Sequence, residues 1–203
     1  MTIQKNLTTR NFTDTNDSSR IKYIVIHYTG NDGDTAYNNT KYFKTEYRGA
    51  SAHYFVDENS IWQCVLDEDV AWHCGTTGTY YHKECRNTNS IGIELCSRIK
   101  DGKHYIPEET LERAAELIHY LRQLYNIPMS NILRHYDVTH KKCPAPFVSD
   151  KSQWNNFLTK VESYEKAEEI NCFIDKYIET YGEEIVDKAL RKLFDYEVFL
   201  IKQ

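Results

Sequence analysis

A chain of 203 residues and 24.0 kDa can hold one α/β domain with a buried core and a small appendage, but not two full domains. Its formal charge of -5 and pI near 5.9 provide no broad basic field, which argues against nucleic acid and against an anionic membrane surface as partners.

The N-terminal stretch MTIQKNLTTRNFTDTNDSSR is polar and lacks the apolar region of a secretory signal, and no later run is apolar enough to span a bilayer. The expectation is synthesis in a cytoplasm without a signal peptide, no membrane insertion, and reduced thiols among the six cysteines. Residues 1–20 read as an extended or loosely held arm. IKYIVIH then gives a buried strand, Ile21 to His27, because its β-branched and aromatic residues run almost without interruption. TGNDGD follows as a turn, so His27 stands where a strand meets a loop. Asp34 is placed to cap a helix over Thr35 to Lys44.

AHYFVDENSIWQCV reads as a hairpin about the turn Asp57 to Ser60, and a further strand is expected at Ser90 to Leu95. From Pro107 to Tyr125 the apolar positions Leu111, Ala114, Ala115, Ile118, Leu121 and Tyr125 keep helical spacing, with Asn126-Ile127-Pro128 as the stop. Pro144 and Pro146 argue for a loop around His135 to Cys143. In the last forty residues Ile170, Phe173, Ile174, Tyr177, Ile178 and Tyr181 mark one amphipathic helix, Gly182 breaks it, and Ile185, Val186, Ala189, Leu190 and Leu193 mark another. The domain division that follows is 1–160 and a helical hairpin over 161–203.

A catalytic zinc site takes three ligands of the His, Cys, Asp or Glu kind and keeps one position open. His135 and Cys143 lie eight residues apart, and His27 is a natural third. Spacing alone does not decide for a metal, since an isolated histidine is more often structural. Glu94, between Ile93 and Leu95, would be costly in a sheet without a role. Lys141 and Lys142 could be a solvated pair.

The order of IVIHYTG, GASAHYFV, DVAWHCG, NSIGIEL and RHYDVTHKKCP resembles the zinc-dependent N-acetylmuramoyl-L-alanine amidases of the amidase-2 and peptidoglycan-recognition-protein family, over roughly residues 21–148. It is most similar to the phage and prophage endolysin branch. The resemblance implies an α/β fold with a central mixed β-sheet flanked by helices, and a Zn2+ held by His27, His135 and Cys143. It implies Glu94 as the residue that takes a proton from water and gives it to the leaving amine, Lys141 as the charge that meets the developing oxyanion, and His53, Trp72 and His73 as lining of the substrate groove. The substrate implied is bacterial peptidoglycan, cut between N-acetylmuramic acid and L-alanine, with the enzyme acting on the wall after release from the cell.

Two rivals stay open at this point. One is a cytosolic amidase that recycles soluble muropeptides; the other is a peptidoglycan-binding protein that does not cut, although the retention of all five chemical residues argues for hydrolysis. His82, His104, His119 and His140 have no motif support, and His140 is near enough in sequence to compete for metal. A Cys74–Cys85 bond formed in an oxidising medium also stays open. The C-terminal hairpin is too small to bury both apolar faces alone, so it is expected either to pack on the catalytic domain or to associate between chains.

Overall fold

In the computed structural model, residues 1–201 are described, with the side chains of 168, 169 and 193–203 left out. The elements in chain order are β1 Ile3–Lys5, β2 Phe12–Thr13, β3 Tyr23–Tyr28, α1 Ala36–Thr45, β4 Tyr54–Val56, β5 Ile61–Gln63, β6 Val70–Ala71, β7 Ser90–Leu95, β8 Arg98–Lys100, β9 Lys103–Tyr105, α2 Glu108–Tyr125, β10 Ile132–Arg134, α3 His135–Thr139, α4 Ala145–Ser149, α5 Lys151–Tyr181 and α6 Glu183–Ile201. They divide into two compact units, Met1–Val161 and Glu162–Gln203.

The first unit is built on a six-stranded sheet in the order β1-β5-β4-β7-β3-β10. β4 and β5 pair antiparallel and every other neighbour pairs parallel, so the sheet is mixed. The continuous apolar run of β3 is explained by its interior place between β7 and β10: Tyr23 to His27 are all buried, as parallel strands covered on both faces require. α2 contacts β4 and β7 and buries Ala114, Ala115, Leu117, Ile118 and Leu121. It ends at Asn126 in the left-handed conformation, φ 53°, a position that asparagine tolerates better than most residues.

Several expectations are corrected. The N-terminal arm is tied down: β1 forms a parallel edge of the sheet with β5, and β2 pairs with β6. Asn11 pins the turn between them, its amide donating to Phe43 O and Glu46 O while its carbonyl accepts from Arg48 N and Gly49 N. The cap of α1 is Thr35, whose hydroxyl accepts from Asn38 N at 3.1 Å, and not Asp34. The segment from His135 is a short helix rather than a loop, and Pro144 and Pro146 fit at the cap and first turn of α4, where a missing N–H costs nothing.

The amphipathic helix expected from Ile170 starts instead at Lys151 and runs unbroken to Tyr181. Trp154, Phe157 and Val161 on its first part are buried, and this apolar anchor carries the helix nineteen residues further back than the Ile170 stripe indicates. In the second unit Gly182 adopts φ 83° and separates α5 from α6. Ile170, Phe173, Tyr177, Tyr181, Ile185 and Leu190 are exposed there along an apolar cavity of about 420 Å³. The Leu193 side chain lies outside the described residues. No described helix is long and apolar enough to cross a membrane.

Candidate active site and metal centre

β3 and β7 lie side by side with Tyr23 opposite Ser90, Val25 opposite Gly92 and His27 opposite Glu94. Since side chains alternate along a strand, β7 splits its sequence SIGIEL between two faces. Ile91, Ile93 and Leu95 enter the core, while Ser90, Gly92 and Glu94 share a face with His27. On the other side of β3, Arg134 of β10 pairs with Ile26, so His135 emerges beside His27. These positions are near the carboxyl ends of parallel strands, the usual place for a site in an α/β sheet.

The signature RHYD has a mechanical meaning here. Arg134 grips Asp137 with two bonds, Nε to Oδ2 at 3.0 Å and Nη2 to Oδ1 at 2.7 Å, and Asp137 also accepts from the Arg134 backbone N at 2.8 Å. This clamp closes over His135 and starts α3. The chain then returns, with Tyr136 N donating to Cys143 O at 2.9 Å, which brings the cysteine alongside the helix.

As a result His27, His135 and Cys143 each offer a ligand atom, all within 4.8 Å of one another. All three residues are buried. Burial, followed by the charge of Lys141, holds His135 down to about 3. For His27, burial and then the neighbouring His135 push the pKa well below the ordinary imidazole value. Both rings are therefore neutral, as metal ligation needs. Burial pushes the Cys143 thiol up to about 12, so this thiol needs a cation to ionise near neutrality. His135 Nδ1 is buried and has no hydrogen-bond partner among the described residues. An orphaned ring nitrogen beside a thiol and a second imidazole is the donor set of a three-ligand metal site with soft and borderline ligands.

Glu94 Oε2 is likewise buried without a partner among the described residues. Desolvation raises its carboxyl to about 7, and the nearby charge of Lys141 offsets part of that. Glu94 also lines a cleft of about 390 Å³ together with Thr29, Asp34, Asn39 and Phe55. A second, larger cleft of about 830 Å³ is walled by Trp72, His73, His135, His140 and Lys141. Trp72 is partly exposed there and its indole N–H donates to Thr13 Oγ1 at 3.0 Å.

The groove residues read from sequence separate into two kinds. Trp72 and His73 line the larger cleft, whereas His53 is fully buried and both its ring nitrogens are used by the backbone: Gly92 N donates to Nδ1 at 3.0 Å and Nε2 faces Asp69 O at 3.1 Å. That leaves His53 no atom for a substrate carbonyl. His140 is outside the ligand cluster and is stacked between Tyr81, at 3.5 Å between ring centroids, and Tyr136, at 5.0 Å. Cys74 and Cys85 are free thiols within one buried cluster with Tyr23, Val25 and Val138.

Comparison with known proteins agrees with this architecture. The N-acetylmuramoyl-L-alanine amidase CwlL of Bacillus licheniformis is 41% identical over 151 residues, 70% of this chain and 41% of that protein. BlyA of Bacillus subtilis, another N-acetylmuramoyl-L-alanine amidase, is 35% identical over 155 residues, again covering 70% of this chain and 41% of that protein. The match thus spans about two fifths of the length of these relatives. The solved structure of PlyL superposes with a TM-score of 0.67 at 27% identity, covering 79% of this chain and 97% of that one. The model of the amidase-2 family, N-acetylmuramoyl-L-alanine amidase, matches residues 17–146, a span that holds all three ligand candidates, Glu94 and Lys141, and the chain belongs to that family.

Proposed function

We propose that this chain is a peptidoglycan hydrolase that cuts the amide between N-acetylmuramic acid and L-alanine, with Zn2+ held by His27, His135 and Cys143, and that it serves cell lysis. The observation that carries the reading is the convergence of three neutral, buried ligand atoms within 4.8 Å beside an unpartnered buried carboxylate. The names of the amidase relatives and of the family support the substrate.

Zn2+ held by His27, His135 and Cys143 would supply Lewis acidity and bring the pKa of a bound water down to about 7. Glu94, raised to about 7, accepts the proton of the attacking water and returns it to the amine as the C–N bond breaks. A carboxyl poised near neutrality serves in both directions. Lys141, exposed on the cleft wall, brings a positive charge to the oxyanion. The cleft walled by Trp72 and the cleft walled by Glu94 would take the two sides of the scissile bond. Residues 1–160 form the catalytic domain and 161–203 an accessory module.

Purified cell walls provide the test. New alanine amino termini should appear without new reducing sugars, and elemental analysis of protein prepared without chelator should find one zinc per chain. Cys143→Ser should lose both, whereas Cys64→Ser should lose neither. Wall cleavage by a chain that holds no transition metal would defeat the mechanism.

A further inference from the structure

Behind the ligand cluster a line of hydrogen bonds runs inward from His27 through His73 and Ser90 to the backbone of Arg86. His27 Nε2 lies 3.1 Å from His73 Nδ1, His73 Nε2 lies 3.1 Å from Ser90 Oγ, and Ser90 Oγ lies 2.6 Å from Arg86 O. We infer that His73 is a positioning residue which, anchored through Ser90 on the Arg86 carbonyl, fixes the proton of His27 on Nε2 and leaves His27 Nδ1 as the ligand atom. The inference rests on the metal reading above, and it names which nitrogen that reading needs and what selects it.

The order of the protons follows from the inner end. A carbonyl oxygen can only accept, so at 2.6 Å the single proton of the Ser90 hydroxyl points at Arg86 O. The Cys74 sulfur, 4.0 Å from the same hydroxyl, is the weaker competitor for it. The Ser90 oxygen must then accept from His73, so His73 carries its proton on Nε2. With its ring proton spent on Ser90, His73 presents Nδ1 at 3.1 Å to His27 Nε2, and a ring nitrogen that carries no hydrogen accepts. His27 therefore donates from Nε2, and its own Nδ1 is bare and 3.8 Å from the Cys143 sulfur. The reverse order fails at Ser90, where two lone pairs would face each other across 3.1 Å while the hydroxyl proton stays with the carbonyl.

The rest of the fold holds His73 in this pose. His73 N and Cys74 N both donate to Asn87 Oδ1, at 3.1 and 2.7 Å. Gly92 clears the space for the ring: a Cβ at Gly92 would stand 2.5 Å from His73 Cγ and 2.8 Å from its Cδ2. A histidine used only to line a groove would need neither the cleared strand position nor two committed nitrogens. Substitution of a group that orients a metal ligand typically weakens metal binding 10- to 100-fold.

Long-range 1H–15N correlation spectra of the full chain, metal-free and zinc-loaded, read the tautomers directly. The expected result is His27 and His73 both protonated on Nε2 in the metal-free protein, and His27 bound through Nδ1 when zinc is added. Two replacements separate positioning from packing. In His73→Asn the amide oxygen takes the place of Nδ1 and can accept from His27, so zinc affinity by chelator competition should stay near wild type. In His73→Gln the amide reaches the place of Nε2 instead, and affinity should fall about 10- to 100-fold. A proton on Nδ1 of His27 or of His73 in the wild-type chain, or equal zinc affinity of the Gln variant and wild type, overturns the inference. Failure of wild-type protein to take up zinc would instead overturn the metal reading, and the metal-free spectra would still decide the tautomer.

Discussion

In the proposed mechanism Glu94 carries the proton transfers in one side chain whose burial is unfavourable for folding. In Glu94→Gln the shape and the zinc ligands remain but the proton acceptor is gone, so turnover on cell walls should fall about 10²-fold or more while zinc content is unchanged. A rate near wild type would remove Glu94 from the mechanism. The same substitution has an opposite effect on stability. The folded-state pKa of about 7 lies above the ordinary 4.5, so the ionised carboxylate is disfavoured in the fold. That penalty is absent below the unfolded-state value, grows as pH rises through the interval, and is complete above about 7. In metal-free protein Glu94→Gln should therefore be more stable than wild type at pH 8, by up to ~3 kcal/mol, with the gain vanishing near pH 4. Thermal melts of both chains at the two pH values measure it. Glu94 was legible in the sequence because a carboxylate between Ile93 and Leu95 is conspicuous. His27, His135 and Cys143 were legible only through the order of their motifs. The committed nitrogens of His53 and His73 were not, since they depend on Gly92, Asn87 and backbone carbonyls that no spacing rule brings together.

At the level of elements, β7 works because its two faces have different tasks. Gly92 is the hinge of that division: Gly92→Ala would place a methyl 2.5 Å from the His73 ring, in a region where ring and strand are both buried. Overpacking of this kind costs about 1–3 kcal/mol, and the displaced ring would release His27 Nε2. The expected outcome is a lower melting temperature together with weaker zinc binding; unchanged affinity would show that the ring position does not matter to the metal. The long patterned elements β3, β7 and α2 could be read from sequence because each repeats its signal over six or more residues. β1, β2, β6, β8, β9 and β10 span two or three residues each, too few for any period, and their hydrogen bonds are decided by distant partners. The helix at His135 was missed for a related reason, since it is started by the Arg134–Asp137 clamp rather than by an apolar stripe.

For the whole molecule the question is where the catalytic unit ends, and α5 crosses the boundary. Phe147, Trp154 and Phe157 form one aromatic cluster with centroids 5.3 to 6.0 Å apart, Val161 is buried, and Lys160 pairs with Glu108 at 2.7 Å. Beyond Val161 the character changes, because residues 162–203 carry 11 acidic and 6 basic residues, which accounts for the entire formal charge of -5. A chain ending at residue 164 should thus fold, bind zinc and cut walls. A chain ending at residue 150 should not, because losing a buried Phe or Trp costs about 3–5 kcal/mol each against a total stability of about 5–15 kcal/mol. An acidic module gains nothing electrostatically from the carboxylates of stem peptides, so at low ionic strength the chain ending at 164 should clear wall suspensions at least as fast as the full chain. The groove at Ile170, Phe173 and Ile185 is exposed, and the proposal that the module joins chains predicts that a second copy covers it. Sedimentation of both lengths reads this directly: self-association confined to the full chain supports an accessory module that joins chains, and a full chain that stays monomeric at high concentration rules it out. A misfolded or zinc-free product ending at residue 164 would mean that the catalytic unit extends into the acidic helices.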